Sequence, residues 1–208
     1  MESFRDPSFQ QALLGSMRRM VVGYFLVAVI GILGGLLLGR FKFLDQVVGS
    51  LAVATHAIPG AAWVPLAILW FGLTEKAVIF TIVLGAVGIV IVSTDNGIKE
   101  VPPIIVRAAR TMGAKGIKYF WFVAVPAAIP KIVDGLRLAW AFGWRALMAG
   151  ELITSVNGLG YRLSAVAKTG RLDQLLAMMT LIAFIGSVID ELVFKRFERA
   201  VRVRWGLE

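Results

Sequence analysis

Met20–Leu38 is a run of nineteen residues without a charged side chain, and it limits the folds open to this chain. A helix needs about twenty apolar residues to cross the roughly 30 Å of hydrocarbon in a bilayer. The hydrophobic share of 58% and the mean hydropathy of +0.80 also exceed soluble domains, in which roughly 45–50% of residues are apolar. The sequence therefore predicts an all-α integral membrane protein.

Further apolar segments predict five membrane spans, at residues 20–39, 47–71, 77–93, 132–153 and 174–194. Residues 1–19 are amphipathic and predict a short N-terminal interfacial helix, followed by one transmembrane domain over residues 20–208. In the first span, Gly31, Gly35 and Gly39 recur at the four-residue spacing that lets a second helix approach closely. Glycine is also common in membrane helices for no specific packing reason, so both interpretations stay open.

The net charge is +9, but the basic residues cluster beside the apolar runs rather than in a patch with interleaved aromatic residues. This placement argues against a nucleic-acid partner. Lys and Arg are more numerous on the side that holds the C-terminal tail and residues 98–130, so both are predicted to be cytoplasmic. Arg18 and Arg19 lie on the opposite side, against this bias. A missing upstream helix or the interfacial helix would explain them.

The chain contains one histidine, no cysteine and no G-x-x-x-x-G-K-[ST] phosphate-binding loop. It is therefore predicted to have no catalytic residues, no metal site and no ATPase activity of its own.

Residues 98–130 form a basic, glycine-punctuated segment between two predicted spans. Pro102 and Pro103 predict the start of a new helix. Gly113 can adopt a positive φ and is expected to connect that helix to a second one over residues 114–122. Pro126 and Pro130 are expected to redirect the chain into the membrane.

The run R-A-A-R-T-M-G, which begins at Arg107, is followed by nine residues and then V-A-V-P. This resembles the EAA loop of ABC-importer permeases: Glu-Ala-Ala, three residues, Gly, nine residues, Ile-x-Leu-Pro. Arg107 stands where the family usually has Glu. Ile58–Leu73, Gly135–Ile153 and Gly158–Tyr161 resemble core segments of the taurine/nitrate/sulfonate branch. The residues that match the loop in identity and spacing are Ala108, Ala109, Gly113 and Pro126.

The resemblance implies the five-helix core of the type I ABC-importer permease fold, in a multi-pass protein of the bacterial inner membrane with a cytoplasmic C-terminus. It implies a homodimer that encloses the translocation pathway. Its partners would be an extracytoplasmic binding protein and two ATPases, which bind ATP and Mg, while this chain itself carries no cofactor. Such permeases usually have one more N-terminal helix, so the chain is expected to begin just after it. The residues implied to couple to the ATPase are Arg107, Ala108, Ala109, Gly113, Ala114 and Pro126.

The resemblance also implies a small anionic substrate such as taurine or another aliphatic sulfonate, nitrate or bicarbonate. A pyrimidine-type vitamin precursor is the alternative within the importer class. Outside it, an ion-coupled secondary carrier would need internal repeats and central carboxylates, neither of which is evident in the sequence. A scaffold without transport is the third hypothesis.

The spans contain candidates for the pathway or gate: His56, Pro59, Trp63, Arg145 and Glu151. His56, beside the Pro59 kink, either forms an interior hydrogen bond or contributes to a gate. Arg145 lies deep in its span, where it either faces an anionic substrate or pairs with Glu151 or a second subunit. Glu151 is expected to cap the helix or contribute to a gate.

Two local expectations complete the sequence analysis. Asp134 and Arg137 are three residues apart, so they are predicted to pair with each other on one helix face. The residues 158–161, Gly-Leu-Gly-Tyr, are predicted to form a tight external turn.

Overall fold

The computed structural model describes residues 7–206, apart from the side chains of Lys42, Val47, Val48 and His56. The part described is helical throughout and contains no strand. Its helices are α1 (Pro7–Arg40), α2 (Lys42–Leu44), α3 (Ser50–Ala57), α4 (Val64–Phe71), α5 (Glu75–Lys99), α6 (Pro103–Thr111), α7 (Gly116–Tyr119), α8 (Val125–Thr154), α9 (Leu159–Lys168), α10 (Leu172–Ile189) and α11 (Lys195–Arg204). Three π-helical turns join helices without a break: Asp45–Gly49, Phe120–Ala124 and Asp190–Phe194.

Helix α5 lies at the centre, packed against α1 on one side and α8 on the other. A β-carbon built on Gly31 would lie 2.5 Å from Cβ of Val90, and one on Gly35 would lie 2.4 Å from Cβ of Thr94. Both distances are too short for a real side chain, so glycine is required for this approach. The four-residue glycine pattern of the first span is therefore specific packing against α5.

Helix α1 runs without interruption through the boundary predicted at Arg19. Residues 7–19 are thus the first part of the same long helix, not a separate one. No proline or turn sequence breaks the helix in this region. Arg19 itself is 3% exposed and paired, so it does not mark a helix end.

The second predicted span is broken in the middle. Helix α3 ends at Ala57, Ile58 and Pro59 are extended, and a 3₁₀ turn over Gly60–Trp63 leads into α4. Proline cannot donate the backbone hydrogen bond that a continuous helix needs here, which explains the break at Pro59. Pro65, by contrast, lies in the first turn of α4, where no such bond is lost.

Helix α8 contains both prolines that were expected to redirect the chain. Pro126 lies in its first turn and Pro130 lies inside it, and the helical path continues from Gly116 to Thr154. The prolines therefore do not end a helix, and the chain enters the fourth predicted span along one continuous helical path. A π-helical turn over residues 120–124 immediately precedes α8 in this path.

The segment predicted to be an external loop was also predicted incompletely, because residues 159–168 form a helix, α9, rather than a loop with one tight turn. Helix α10 continues through a π-helical turn into α11, so the last helical stretch extends to Arg204. By length and composition, three stretches of the described chain are apolar and long enough to cross a membrane: Pro7–Arg40, Glu75–Lys99 and Leu172–Arg204. Gly60–Phe71 is apolar but shorter.

The close contact between α1 and α5 can be tested by replacing Gly35 with alanine. The added methyl would meet Cβ of Thr94 at 2.4 Å and the carbonyl oxygen of Ile91 at 2.6 Å. We expect a loss of about 1–3 kcal/mol of stability, the usual cost of overpacking. Thermal unfolding of the detergent-solubilised protein would measure it.

Gly34→Ala is the matched control on the same helix. Its added methyl would meet only the flexible side chain of Ile91, at 3.3 Å from Cγ1. It should leave stability unchanged or raise it slightly, because alanine favours helix. Equal melting temperatures for the two variants would contradict the packing described here.

Candidate functional site

The segment between α5 and α8 folds as a helix followed by a sharp reversal. Pro102 is extended and Pro103 lies in the first turn of α6, as predicted. After α6, Gly113 has φ +82°; its N–H donates to the carbonyl of Arg110, while the N–H of Ala114 donates to that of Ala109. This pair of bonds is a Schellman motif, which needs a left-handed residue that only glycine adopts at little cost. The second helix begins at Gly116 rather than Ala114, and it runs on into α8.

Helix α6 exposes one face to solvent and buries another. Arg107 and Ala108 are exposed, whereas Ala109 is 2% exposed and packs within the chain. Of the two alanines expected to meet an ATPase, therefore, Ala108 alone is available. The large side chains of Ile104 and Met112 are also exposed, at 68% and 81%, on either side of Ala108.

Arg107 has no ion pair or hydrogen bond to any side chain in the described part of the chain. Ala114 and Pro126 are half-buried. The carbonyl of Pro126 accepts a hydrogen bond from the indole N–H of Trp205, at 3.0 Å, which fixes the C-terminal tail beside the end of this segment. The tail thus lies at the same end of the molecule as the segment between α5 and α8, residues 100–124, which we call the α6 segment.

The candidate pathway residues fall into two groups. Pro59 precedes the 3₁₀ turn of the broken span and Trp63 is the last residue of that turn. A β-carbon built on Gly60, in the same turn, would lie 3.0 Å from Cβ of Ala146 on α8. The turn therefore packs against α8 at Ala146. Arg145 precedes Ala146 in the chain, but its side chain lies on another face of α8, towards α10. The side chain of His56 lies outside the described residues.

Glu151 lies elsewhere and is fully buried in a network of hydrogen bonds. Its carboxylate pairs with Arg19 at 2.5 Å, lies 2.8 and 2.9 Å from the hydroxyl of Ser16, and accepts the N–H of Gly160 at 2.9 Å. Arg19 also donates to the carbonyl of Asn157 and to Glu75. The network joins the first part of α1 to the end of α8 and the start of α9.

Two glycines make room for this carboxylate. A β-carbon on Gly158 would lie 2.4 Å from the Glu151 carboxyl carbon, and one on Gly160 would lie 2.8 Å from Cβ of Glu151. The Gly-Leu-Gly sequence therefore lets the start of α9 close over a buried ion pair. Glu151 secures this packing, and its carboxylate accepts the N–H of Gly160 in the first turn of α9, so the capping contact is to the start of that helix rather than to α8. Its expected role in a gate stays a prediction.

Sequence reasoning missed Ser16 and Arg19 as partners of Glu151. The sequence contained one indication of this pairing. Arg19 lies on the predicted extracytoplasmic side, where the positive-inside rule disfavours arginine, and a buried carboxylate partner explains how its charge is accommodated there. Arg145, the alternative partner considered for Glu151, is exposed, with its guanidinium 5.3 Å from the centre of the Phe142 ring. Within the described chain Arg145 has no carboxylate partner.

Asp134 and Arg137 do not pair with each other as predicted. Arg137 binds Asp190 at 2.8 Å and Glu198 at 2.6 Å, and Asp134 lies 3.4 Å from Arg202. The partners come from the last helical stretch, which packs against α8 at this height. A local pair was the simpler expectation, but tertiary contacts supply better-placed charges.

Comparison with known proteins agrees with this geometry. Residues 10–203 match the family described as "Binding-protein-dependent transport system inner membrane component". The chain belongs to this family.

Relatives in this family include TauC, the taurine transport system permease protein of Escherichia coli (strain K12), which is 31% identical over 91% of this chain. Another is NrtB, the nitrate import permease protein of Leptolyngbya laminosa, 27% identical over 87% of it. The chain spans about two thirds of the length of these relatives, 69% and 65% respectively.

The fold is that of ABC-importer permeases. A chain from the MetNI methionine ABC transporter, in an inward-facing conformation, superposes with a TM-score of 0.77 at 20% identity, covering 93% of this chain and 95% of that one. At this identity the likeness establishes the fold alone. It confirms the five-helix core of the type I permease expected from the sequence.

The buried network of this permease-family chain can be tested with Glu151→Gln. The substitution would remove the fully buried partner of Arg19 and leave it only the partly exposed carboxylate of Glu75, at 3.1 Å, so we expect a loss of about 3 kcal/mol of stability, the lower end of the usual cost of breaking a buried pair. Thermal unfolding and the yield of folded protein would measure the effect.

Glu100→Gln is the matched control, because Glu100 pairs with Lys131 at 2.8 Å while both side chains are more than half exposed. A surface pair of this kind contributes at most about 1 kcal/mol. If the two variants lost equal stability, the assignment of Glu151 as a buried structural anion would be wrong.

Proposed function

We propose that this chain is the transmembrane subunit of an ATP-binding-cassette importer, in which it forms the substrate pathway and receives motion from a separate ATPase. The observation that carries this proposal is the α6 segment with its exposed residues. A solvated loop does not need a helix, a Schellman reversal and large apolar side chains left uncovered. Exposed Ile104 and Met112 beside Ala108 and Arg107 suit contact with a protein groove.

The partners follow from this role. Two ATPases would bind ATP and Mg and contact the α6 segment of each of two permease copies, and an extracytoplasmic binding protein would deliver the solute. The family description, which names a binding-protein-dependent transport system, supports this assembly. The α6 segment and the C-terminal tail would then both be cytoplasmic, which agrees with their position at the same end of the molecule.

Arg107 is the least conventional part of this contact surface. It carries a positive charge where similar permeases usually have a glutamate, and nothing within the described chain neutralises it. We propose that the partner ATPase offers a carboxylate at this point.

A pathway between two copies of the chain explains the position of Arg145. A cation deep in a membrane span faces protein or water rather than lipid. In the described chain this side chain is exposed without a carboxylate partner, so the surface around it would face the pathway or the second copy. An anionic solute is consistent with this charge and with the taurine and nitrate permeases among the relatives.

Gly113→Ala tests the coupling role. Alanine at φ +82° costs about 1–2 kcal/mol and would disturb the reversal after α6. In the reconstituted complex of permease and ATPase, we expect solute-stimulated ATP hydrolysis to fall at least severalfold.

Gly170→Ala is the matched control, since Gly170 has φ +69° with no atom near its added methyl, but it lies between α9 and α10. It imposes a similar backbone strain away from the α6 segment, so stimulation should persist. Equal stimulation in both variants, or a purified complex without a nucleotide-binding subunit, would refute the proposed coupling.

A further inference from the structure

The last helical stretch of the chain leaves the membrane as a basic helix. Helix α10 and the π-helical turn after it contain 18 and five residues, which is about 34 Å of helix at 1.5 Å per residue. A bilayer has about 30 Å of hydrocarbon, with a headgroup layer of roughly 5–8 Å on each side. The charged residues Arg171 and Asp173 lie at the other end of this stretch. Helix α11, which begins at Lys195, therefore starts in a headgroup layer.

One face of α11 packs against the chain, and the charges on that face are neutralised. Glu198, the only acidic residue of α11, pairs with Arg137 at 2.6 Å and with Arg202 at 3.0 Å. Arg202 also lies 3.4 Å from Asp134. Val201 is buried on the same face. These contacts fix α11 against α8 and leave no carboxylate of α11 for its other face.

The opposite face carries arginines without partners. Leu192, Arg196, Arg199 and Val203 follow one another at intervals of four, three and four residues, so they form one stripe along the helix. Both arginines are exposed and have no ion pair or hydrogen bond in the described part of the chain. Leu192 and Val203 are 49% and 60% exposed. The stripe is thus cationic in its middle and apolar at both ends.

The depth of the two arginines matches that of lipid phosphates. Arg196 and Arg199 are the second and fifth residues of α11, so both lie within about 8 Å of its start. Arg204, the last residue, lies about 15 Å from that start, beyond the headgroup layer. Phe197 is 57% exposed. Its position suits the boundary between headgroups and acyl chains, where basic amphipathic helices bury aromatic side chains.

Charge and polarity select the occupant of this face. A guanidinium binds phosphate oxygens through two parallel hydrogen bonds. Two unneutralised guanidinium groups favour a headgroup with a net negative charge, because a zwitterionic headgroup brings an ammonium group that repels them. Water would solvate the arginines but would leave Leu192 and Phe197 uncovered, whereas a phospholipid covers both.

We propose that this face of α11, defined by Arg196, Phe197 and Arg199, binds an anionic phospholipid such as phosphatidylglycerol. The two guanidinium groups hold the phosphate, and Phe197 lies against the upper part of the acyl chains together with Leu192. The site requires neither an ATPase nor a transported solute, so it goes beyond the proposed function. Because Glu198 joins α11 to Arg137 of α8, a bound lipid would also hold this end of α8 at the membrane surface.

The experiment places a fluorophore beside the site. The chain has no cysteine, so Ala200→Cys gives a single labelling position, exposed and one turn after Arg196. The labelled full-length protein is incorporated into phosphatidylcholine nanodiscs that contain increasing fractions of a nitroxide-labelled lipid, and fluorescence quenching is measured. The nitroxide is carried at the same acyl position either by phosphatidylglycerol or by phosphatidylcholine, so a difference between the two reports the preference for a headgroup.

We expect half-maximal quenching at a fraction of phosphatidylglycerol at least tenfold lower than that of phosphatidylcholine. Each basic side chain near the membrane surface contributes about a fivefold preference for anionic lipid. Arg196→Gln should therefore raise the phosphatidylglycerol midpoint about fivefold. The double variant Arg196→Gln/Arg199→Gln should bring this midpoint close to the phosphatidylcholine value.

Arg204→Gln is the matched control, because it makes the same change of charge on the same helix at an exposed position beyond the headgroup layer. Its phosphatidylglycerol midpoint should stay within about twofold of the parent value. The phosphatidylcholine midpoint checks the fold of every variant, since a displaced or unfolded α11 would change quenching by both lipids.

Three outcomes would overturn the inference. The first is equal midpoints for the two lipids, or a phosphatidylglycerol preference that survives the loss of both arginines. The second is an equal shift in Arg204→Gln and Arg196→Gln, which indicates the general surface potential rather than a site. The third is an absence of quenching by either lipid, which assigns this face to a second copy or to another protein.

Discussion

The backbones of α1 and α8 both approach the backbone of α5 closely, and the rest of the structure depends on this packing. In a bilayer, apolar side chains gain little by leaving lipid for protein, so helices associate through tight van der Waals packing. Gly35 of α1 packs against Thr94 of α5, and Gly135 of α8 packs against Ser93, the residue before Thr94. In each case a β-carbon built on the glycine would lie 2.4 Å from Cβ of the facing residue. Two adjacent residues of α5 therefore contact α1 and α8 on different faces of the helix.

Charged groups then fix the two ends of this packed unit. At one end, Arg19 and Glu151 connect α1 to α8 in a fully buried pair. At the other, Arg137 connects α8 to the last helical stretch through Asp190 and Glu198. Arg145 lies between these clusters and has no carboxylate partner in the described chain; its guanidinium packs over the Phe142 ring.

The sequence predicted much of the fold because the length and hydropathy of a membrane-spanning helix are determined by the bilayer rather than by particular contacts. The α6 segment was predictable for a different reason, since Pro103 and Gly113 act through backbone geometry that is local to the chain. The Glu151 network was not predictable. Its members, Ser16, Arg19 and Gly160, are far apart in sequence, and only the folded chain brings them to one carboxylate. The predicted pairing of Asp134 with Arg137 was wrong for the same reason, because each residue pairs instead with a charged residue that is distant in sequence.

The break in the second span has a consequence for how motion could cross the molecule. Irregular backbone at membrane depth is tolerated where protein or a water-filled cavity surrounds it. Here the turn is held by small residues: Gly60 lies against Gly85 of α5 and Ala146 of α8, and Arg145 immediately precedes Ala146.

Helix α5 links this turn to the segment proposed to contact the ATPase, because only residues 100–102 separate its end from α6. A displacement of α6 would therefore reach, through one continuous helix, the point where the turn of the broken span packs against α5 and α8. The small residues at that junction would let the helices slide without a side chain having to move first.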